Sequence, residues 1–378
     1  MNNKVMHICP YYGNSWIYNQ LNNLIRYTPI VLYDEEMKPH LYSIPHSYSL
    51  SNLNKFSVFF NKGFRKIFGF YPYFWGIARQ YKPTLIHAHF GPWGYKSLAF
   101  KKILNIPLVT TFYGYDMSIL PKTAEWQKKF HLLFKSGDAF LTEGSHMKQA
   151  LIKLGCPEEK IVIQHIGVNI DKIEFHPRTA KNTKKIKILI CGNFVEKKGI
   201  PYGILAFART KKKFPNTELR IVGDGPLRKK IENLIKELNL TNCVMLLGDL
   251  DYPRYLEELE KSQILLAPSI TATNGDTEGG APVVLTEAQA SGLPIVSTYH
   301  ADIPEVVIDK NSGLLCKEKD IQGLMRNLIY LLENQNMWPK MGEIGRKHVG
   351  KNYNLKLQIQ KLENIYDLLT STVMTKPT

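Results

Sequence analysis

The sequence has few cysteines and no long apolar run. Five cysteines occur among 378 residues, and they lie far apart in the chain: Cys9, Cys156, Cys191, Cys243 and Cys316. This spacing offers neither the paired thiolates of a zinc site nor a disulfide framework, so it favours a reduced, cytoplasmic compartment. No run of about 18 apolar residues occurs, and a membrane-spanning helix is therefore not expected. The first residues, MNNKVMHICPYYG, also lack the apolar core of a signal peptide.

Acidic residues are absent from one long stretch of the chain. No Asp or Glu lies between Met37 and Tyr115, whereas ten Lys and Arg residues do, and the whole chain carries a net charge of +16. Phe, Tyr and Trp are interleaved with these basic residues around Lys62, Arg65 and Lys66. Basic and aromatic side chains together are typical of contact with an anionic membrane surface. A solvated basic face and a nucleic-acid contact are the alternatives, the latter on charge alone.

Short apolar runs alternate with helical patterns, which predicts α/β units with mainly parallel strands. The chain is too long for one compact core, and the polar, basic segment 177–187 is interpreted as a linker. We therefore predict two Rossmann-like domains, residues 1–178 and 179–355, that face each other across a ligand-binding cleft. The strand candidates are KVMHIC, PIVLYD, TLIHAHF, PLVTTFY, DAFLTEG and KIVIQHI in the first domain, and IKILICG, ELRIVGDG, NCVMLLG, QILLAPS and PIVST in the second.

A helical pattern also ends the chain. The segment LKLQIQKLENIYDLL has apolar residues at helical spacing. We predict that residues 356–378 form a C-terminal helix that packs across the domain junction and returns to the N-terminal domain.

Two glutamates flank a Gly-Gly-Ala-Pro turn in the segment that runs from residue 269 to residue 305. Glu278 lies before the turn, and Glu287 lies inside a helix predicted to begin near Pro282. The amides of Gly279 and Gly280 and the positive helix end suit a phosphate. Carboxylates do not bind phosphate, because like charges repel, but they accept hydrogen bonds from sugar hydroxyls. The segment therefore predicts a nucleotide-sugar site; helix-end electrostatics for Glu278 and a surface position for Glu287 are the alternatives.

Other strand-to-helix turns of the second half carry charge or glycine. CGNFVEKKGI contains Lys197 and Lys198, which can neutralise a departing diphosphate, although a lysine pair in a loop is often only solvated. VGDGPLR places Gly223 at a strand end, where a simple tight turn is the alternative to a binding role.

The first half contributes HAHFGPWG and TTFYGYD. Strand alternation puts His87 and His89 on one side of their strand, with His89 nearer its carboxyl end. No further metal ligand lies close by in the sequence, so we expect structural or hydrogen-bonding roles and no metal site. Asp116 is interpreted as an ion-pair partner or as a carboxylate of an acceptor site.

Taken together, several motifs resemble one family over nearly the whole chain. The chain resembles the retaining glycosyltransferases of family 4 type with the GT-B fold, and within them the enzymes of colanic acid and amylovoran exopolysaccharide assembly. The resemblance is carried by the joint presence of NSWIYNQ, HAHFGPWG, TTFYGYD, HIGVNIDKIEF, CGNFVEKKG, IVGDGPLR and NGDTEGGAPVVLTEAQASGLPIVST.

The resemblance implies roles for individual residues. Lys198 corresponds to the phosphate-binding lysine, Glu278 to the glutamate near the transferred sugar, and Glu287 to the glutamate on the nucleotide ribose. Gly13 is expected to lie against the donor, and the loop after Gly248 is expected to meet the base through backbone groups.

Three departures from the family pattern stand out. Eight residues separate the two glutamates where seven are usual, so one extra residue must be accommodated. Asn193 stands where an arginine usually assists the phosphate lysine. Tyr113 stands where many relatives have a histidine beside the reacting sugar, which makes His89 the nearest candidate for a catalytic histidine and Tyr113, with Asp116, a candidate for acceptor binding.

The resemblance implies a retaining glycosyltransferase of hexosyltransferase type, with no cofactor or metal required. UDP is the expected carrier of the donor sugar, with GDP as the alternative, and the expected acceptor is a lipid-linked saccharide of exopolysaccharide or lipopolysaccharide biosynthesis. Such an enzyme is expected on the inner face of the plasma membrane, with no nucleic-acid partner. A nucleotide-sugar epimerase of the same fold and a catalytically silent nucleotide-sugar-binding protein are the rival hypotheses.

Overall fold

The computed structural model describes residues 3–12, 15–36, 43–180 and 184–374, and these residues form two compact α/β units. The first unit comprises the described residues up to Gly167 together with the helix that begins at Leu355, and the second unit is Val168–Asn354. The sequence analysis placed the first boundary after residue 178, within the segment that the structure assigns to the second unit.

The first unit is built on a seven-stranded sheet in which all strands are parallel, in the order β3-β2-β1-β4-β5-β6-β7. Its strands are β1 Asn3–Tyr12, β2 Tyr27–Glu36, β3 Ser47–Ser49, β4 Leu85–His89, β5 Leu108–Thr111, β6 Ala139–Thr142 and β7 Ile161–Ile163. Its helices are α1 Ser15–Asn22, α2 Lys55–Phe68, α3 Pro72–Tyr81, α4 Gly91–Leu104, α5 Tyr115–Ser118, α6 Ala124–Ser136, α7 Ser145–Lys153 and, at the end of the chain, α15 Leu355–Met374.

The second unit is built on a six-stranded parallel sheet in the order β10-β9-β8-β11-β12-β13. Its strands are β8 Ile186–Cys191, β9 Thr217–Val222, β10 Val244–Gly248, β11 Ile264–Ala267, β12 Ile295–Thr298 and β13 Gly313–Cys316. Its helices are α8 Ile200–Lys213, α9 Arg228–Glu237, α10 Tyr252–Lys261, α11 Val283–Ser291, α12 Ile303–Val306, α13 Ile321–Glu333 and α14 Trp338–Asn352. The predicted pair of Rossmann-like α/β domains is therefore confirmed.

Two strands were missed by the sequence analysis, and both are short edge strands. β3 is Ser-Tyr-Ser and contains no apolar run, so no hydrophobic pattern marks it. β13 begins at Gly313, where a Cβ atom would lie 2.7 Å from the carbonyl oxygen of Ile295 and 2.6 Å from the side chain of Val307. Close packing against the neighbouring strand thus favours glycine at a position that sequence rules associate with turns.

Helix α15 covers one face of the first sheet, as predicted for a helix that returns to the N-terminal domain. Leu362 and Tyr366 pack with Val5, Leu85 and Val109 on that face. Polar contacts fix the helix at the start of β2, because the buried carboxylate of Glu363 accepts the backbone N–H groups of Ile25 and Arg26, each at 2.7 Å.

Substitution of Glu363 tests how strongly this contact holds α15. Glu363→Ala leaves two backbone donors without their acceptor and removes one of the acceptors of the Arg26 side chain, and we expect it to lower the free energy of unfolding by about 2–3 kcal/mol. Urea denaturation followed by circular dichroism measures the change. The control is Lys361→Ala at an exposed position of the same helix, and equal denaturation midpoints for the two variants would contradict this role.

Candidate functional site

A buried ion pair lies where two strands of the second sheet end. Nζ of Lys198, in the turn after β8, lies 2.8 Å from Oε2 of Glu278, and the hydroxyl of Ser269, just after β11, donates to Oε1 of Glu278 at 2.7 Å. The Glu278 side chain is only 5% exposed. Burial alone would raise the pKa of Glu278, but the charge and hydrogen bond of Lys198 outweigh it and lower that pKa. The carboxylate is therefore charged and fixed in direction.

The neighbouring lysine has different partners. Nζ of Lys197 donates to the carbonyl oxygen of Thr277 at 2.9 Å and lies 3.2 Å from Oδ2 of Asp276. Lys197 thus fastens the loop that carries Glu278, whereas Lys198 contacts the carboxylate itself. The two lysines that form one pair in the sequence have separate roles in the structure.

His300 supports the same loop from the opposite side, and the sequence analysis did not select it. The backbone N–H of Glu278 donates to Nε2 of His300 at 3.0 Å, so the ring proton lies on Nδ1, which is 2.7 Å from Oε1 of Glu318. Glu318 in turn accepts the backbone N–H of Thr271 at 2.7 Å. Its position in the sequence could have indicated this role, because His300 follows the end of β12 by two residues and lies in the segment 269–305 that contains Glu278 and Glu287.

Glu287 lies more than one turn inside α11, as predicted, and two tyrosines of α10 face its carboxylate. The hydroxyl of Tyr255 donates to Oε2 of Glu287 at 2.8 Å. Burial raises the pKa of Glu287 to about 7, although the hydrogen bonds from Tyr255 and Tyr252 lower it in part. Neither tyrosine was selected from the sequence, because nothing in the order of residues places α10 beside α11.

The glycines and the asparagine singled out in the sequence lie at turns of the same unit. The N–H of Gly223 donates to the carbonyl oxygen of Gly248 at 2.8 Å, which brings the ends of β9 and β10 together. A Cβ atom on Gly223 would lie 2.2 Å from the carbonyl oxygen of Gly192, so this turn requires glycine. Asn193 is exposed in the turn after β8, and Gly279 and Gly280 precede α11. Gly13 lies outside the described residues.

Three histidines meet inside the first unit. The sequence analysis found only His87 and His89 and expected no further ligand close by; this was wrong, because β1 pairs with β4 and brings His7 directly beside His87. One nitrogen atom from each of the three rings lies within 4.8 Å of the others.

The ring nitrogens of this cluster are occupied by hydrogen bonds. Five of the six ring nitrogens of His7, His87 and His89 have a hydrogen-bond partner, and Nε2 of His7 has none. Burial lowers the pKa of all three rings, that of His89 to about 3, so they are neutral at physiological pH. His89 is fully buried. The bonds join His7 Nδ1 to His89 Nε2 (3.1 Å), His89 Nδ1 to the Tyr113 hydroxyl (2.7 Å), His87 Nδ1 to the Tyr366 hydroxyl (2.6 Å) and His87 Nε2 to the Thr111 hydroxyl (2.7 Å).

Asp116 is buried beside this cluster and binds backbone. One carboxylate oxygen accepts the N–H of Gly91 at 2.8 Å, and the other accepts the N–H groups of Tyr113 and Gly114 at 3.1 and 3.0 Å. Burial raises the pKa of Asp116 to about 6 despite these bonds. Its contacts therefore shape the turn that presents Tyr113.

The three basic residues proposed as membrane contacts lie on α2. Lys62 and Lys66 are exposed, whereas Arg65 is partly buried, with its guanidinium 5.1 Å from the ring centre of Tyr71. No helix within the described ranges is both long and apolar enough to cross a bilayer.

Comparison with known proteins identifies the family. Residues 27–172 match the model of Glycosyltransferase Family 4, and residues 171–348 match that of Glycosyl transferases group 1. The chain is 33% identical over 300 residues to the amylovoran biosynthesis glycosyltransferase AmsK of Erwinia amylovora, covering 78% of this chain and 73% of that protein. It is 30% identical over 298 residues to the putative colanic acid biosynthesis glycosyltransferase WcaL of Escherichia coli K12, covering 78% and 72%. The predicted resemblance is thus confirmed.

Solved structures share the fold. Anabaena Alr3699/HepE in complex with UDP aligns with a TM-score of 0.77 at 16% identity, covering 97% of this chain and all of that one. Sucrose-phosphate synthase from Thermosynechococcus elongatus aligns with a TM-score of 0.73 at 18% identity, covering 98% of this chain and all of that one. These similarities confirm the two-domain α/β GT-B fold.

The raised pKa of Glu287 predicts a pH-dependent contribution to stability. The folded protein keeps a proton on this carboxyl up to about pH 7, whereas the unfolded chain loses it above the ordinary value of 4.5. Stability of the parent therefore falls as the pH rises through this window and levels off above it. As the pH rises from about 4.5 to about 7, we expect the free energy of unfolding of Glu287→Gln to increase relative to that of the parent by roughly 2–3 kcal/mol. Thermal unfolding as a function of pH measures this difference.

Glu237→Gln, at an exposed position of α9, is the matched control for this titration. A stability difference between Glu287→Gln and the parent that does not change between about pH 5 and about pH 8 would contradict the assignment.

His300 is expected to hold the loop that carries Glu278. His300→Ala removes the acceptor of the Glu278 N–H group and the partner of Glu318, and we expect a loss of about 1–3 kcal/mol together with faster amide exchange in residues 271–279. His300→Gln restores an acceptor oxygen and should recover part of the protection. Unchanged exchange in the alanine variant would show that His300 does not hold this loop.

Proposed function

The chain belongs to the family 4 and group 1 glycosyltransferases, and on this premise we propose that it transfers a hexose-type sugar, with retention of anomeric configuration, from a nucleoside diphosphate sugar to a lipid-linked saccharide. Glycosyltransferase activity in exopolysaccharide biosynthesis is what its relatives support. The donor nucleotide, the acceptor and the stereochemistry are the proposed parts.

The observation that carries the proposal is the ion pair of Lys198 and Glu278 at the ends of β8 and β11. Open α/β sheets bind ligands outside the carboxyl ends of their strands, and both charged groups lie there. An ammonium group at this place can neutralise the charge that develops on a departing diphosphate. Once the phosphates compete for Lys198, the carboxylate of Glu278 can accept hydrogen bonds from the hydroxyls of the transferred sugar.

Glu287 supplies the second half of the proposed donor site. Its carboxylate is oriented by Tyr255 and suits the two hydroxyls of a ribose, which donate to carboxylate oxygens. UDP is the proposed carrier because the structurally similar HepE is described in complexes with UDP and UDP-glucose, and GDP is the alternative. We propose that Lys198, backbone amides and the start of α11 stabilise the leaving group, so that no metal or other cofactor is required.

The acceptor is assigned to the first unit. Tyr113, with His89 behind its hydroxyl, is the proposed acceptor contact, and Asp116 supports the turn that carries it. The basic surface of this unit suits the anionic inner face of the plasma membrane, where a lipid-linked saccharide would reside. Lys62 and Lys66 are the proposed headgroup contacts, whereas Arg65 is engaged with Tyr71.

Lys198→Ala tests the proposed role at the diphosphate. We expect kcat/KM for sugar transfer to fall about 100-fold or more, because the developing negative charge loses its ammonium partner. Transfer from UDP-sugars to a lipid-linked acceptor is measured, with Lys212→Ala on the exposed face of α8 as the control. Glu278→Gln, which keeps a hydrogen-bonding group for Ser269, should weaken transfer more than it weakens UDP binding by calorimetry.

Four outcomes would overturn parts of this proposal. Unchanged turnover of Lys198→Ala would remove that residue from the mechanism, and loss of UDP binding without loss of turnover in Glu278→Gln would reverse the roles of the two glutamates. An inverted anomeric centre in the product, read by NMR, would exclude retention. Rapid conversion of the donor alone into an epimer would favour the epimerase.

A further inference from the structure

Helix α2 turns its apolar residues toward solvent. Phe56 is 80% exposed and Phe59 and Ile67 are each 77% exposed, and all the phenylalanines that are more than half exposed in the described residues lie on this one helix. Surface helices normally bury such residues against the core. We call the exposed set the α2 aromatic face; it consists of Phe56, Phe59, Phe60, Ile67 and Phe68.

The inner side of α2 is held by polar contacts. Asn61 is buried, its amide donates to the carbonyl oxygen of Ser57 at 2.9 Å, and its side-chain oxygen accepts the N–H of Tyr73 at the start of α3, also at 2.9 Å. The side chain of Asn54 caps the first turn, and Gly69 ends the helix with φ of 83°. The orientation of the helix is thus fixed by satisfied hydrogen bonds at both ends and in the middle.

Stacked rings connect the aromatic face to the core of the unit. Phe64 stacks on Phe68 with ring centres 4.2 Å apart and contacts Phe70 at 5.4 Å, and Phe70 in turn meets the buried Phe100 at 5.6 Å. Phe60 and Phe68 therefore belong to a packed aromatic array through their contacts with Phe64, at 6.1 and 4.2 Å between ring centres.

Basic residues accompany this apolar face and outnumber the acids near it, although Asp34 of β2 interacts with Lys62 and Arg65. Lys55, Lys62 and Lys66 are exposed on the same helix, and no Asp or Glu lies between Met37 and Tyr115. The matching partner must offer negative charge and an apolar layer together. An anionic bilayer offers both, whereas a nucleic acid offers the charge without a layer that would bury four phenylalanines and an isoleucine.

The length of α2 determines how it can meet a bilayer. Its 14 residues extend about 21 Å, which is shorter than the hydrocarbon thickness of about 30 Å. Rings on its outer side and lysines beside them suit a helix that lies in the plane of the interface.

We propose that α2 inserts its aromatic face into the headgroup–acyl boundary of an anionic membrane while Lys55, Lys62 and Lys66 contact the headgroups. This inference rests on the membrane association in the proposed function and changes its physical basis, because apolar burial and not charge alone retains the protein. Raised salt is then expected to weaken membrane binding without abolishing it.

Vesicle flotation with paired variants tests the inference. The parent should float with phosphatidylcholine vesicles that contain phosphatidylglycerol, and a fraction should remain bound at raised ionic strength. Phe56→Ser with Phe59→Ser should lower the partition coefficient at least about tenfold, because two rings no longer leave water. The control is Ile103→Ser with Leu132→Ser, which removes two exposed apolar side chains from α4 and α6 and should float like the parent.

Insertion and charge are read separately. Tryptophan emission of Phe59→Trp should shift to the blue on vesicle binding and be quenched by brominated lipid, whereas Lys62→Glu with Lys66→Glu should reduce the preference for phosphatidylglycerol. Circular dichroism and UDP binding confirm that each variant is folded.

Three results would overturn the inference. The first is flotation of Phe56→Ser with Phe59→Ser equal to that of the parent, and the second is complete release of the parent by salt. The third is a parent dimer in sedimentation velocity that this double variant dissociates, which would assign the aromatic face to a second copy of the chain. Transfer to a water-soluble acceptor analogue is independent of all three, so failure here leaves the proposed transfer reaction open to its own test.

Discussion

The ammonium of Lys198 and the carboxylate of Glu278 lie 2.8 Å apart, and the carboxylate, whose side chain is only 5% exposed, depends on the positive charge beside it. Their pairing requires the turn after β8 and the loop after β11 to approach each other at the carboxyl ends of these two neighbouring central strands. Two further contacts hold the loop in this position. Lys197 donates to the carbonyl oxygen of Thr277, and His300 accepts the backbone N–H of Glu278. In the proposed function, a donor phosphate would compete with the Glu278 carboxylate for the ammonium group of Lys198.

The second glutamate is held by a different principle. Glu287 faces tyrosine hydroxyls and no cation, so burial raises its pKa to about 7, while the pKa of Glu278 is lowered by Lys198. Two carboxylates of one unit therefore differ in charge near neutral pH because their neighbours differ. Under the proposed function, Glu278 would meet the charges that change during transfer, and Glu287 would bind the uncharged hydroxyls of the ribose.

The first unit distributes polarity in an unusual way. Its interior contains three neutral histidines, of which His7 and His89 are hydrogen-bonded to each other while His87 and His89 bond to tyrosine and threonine hydroxyls, whereas α2 exposes phenylalanines to solvent. The buried rings are tolerated because nearly every nitrogen has a partner. The exposed phenylalanine rings of α2 remain in contact with water, and an apolar partner surface would remove them from it.

The sequence by itself determined the alternation of strands and helices and the two-domain fold, because hydrophobic periodicity is a property of consecutive residues. Short motifs of consecutive residues likewise determined the family and the selection of Lys198, Glu278 and Glu287. It missed β3, which contains no apolar run, and β13, which begins at a glycine. It also missed His7, Tyr255 and His300 as partners of the selected residues, and the position of Arg65 against the ring of Tyr71. The hydrogen bonds of His7, Tyr255 and His300 to His89, Glu287 and Glu278 join residues 82, 32 and 22 positions apart, and only the register of the sheets and the packing of helices on them decide which side chains meet.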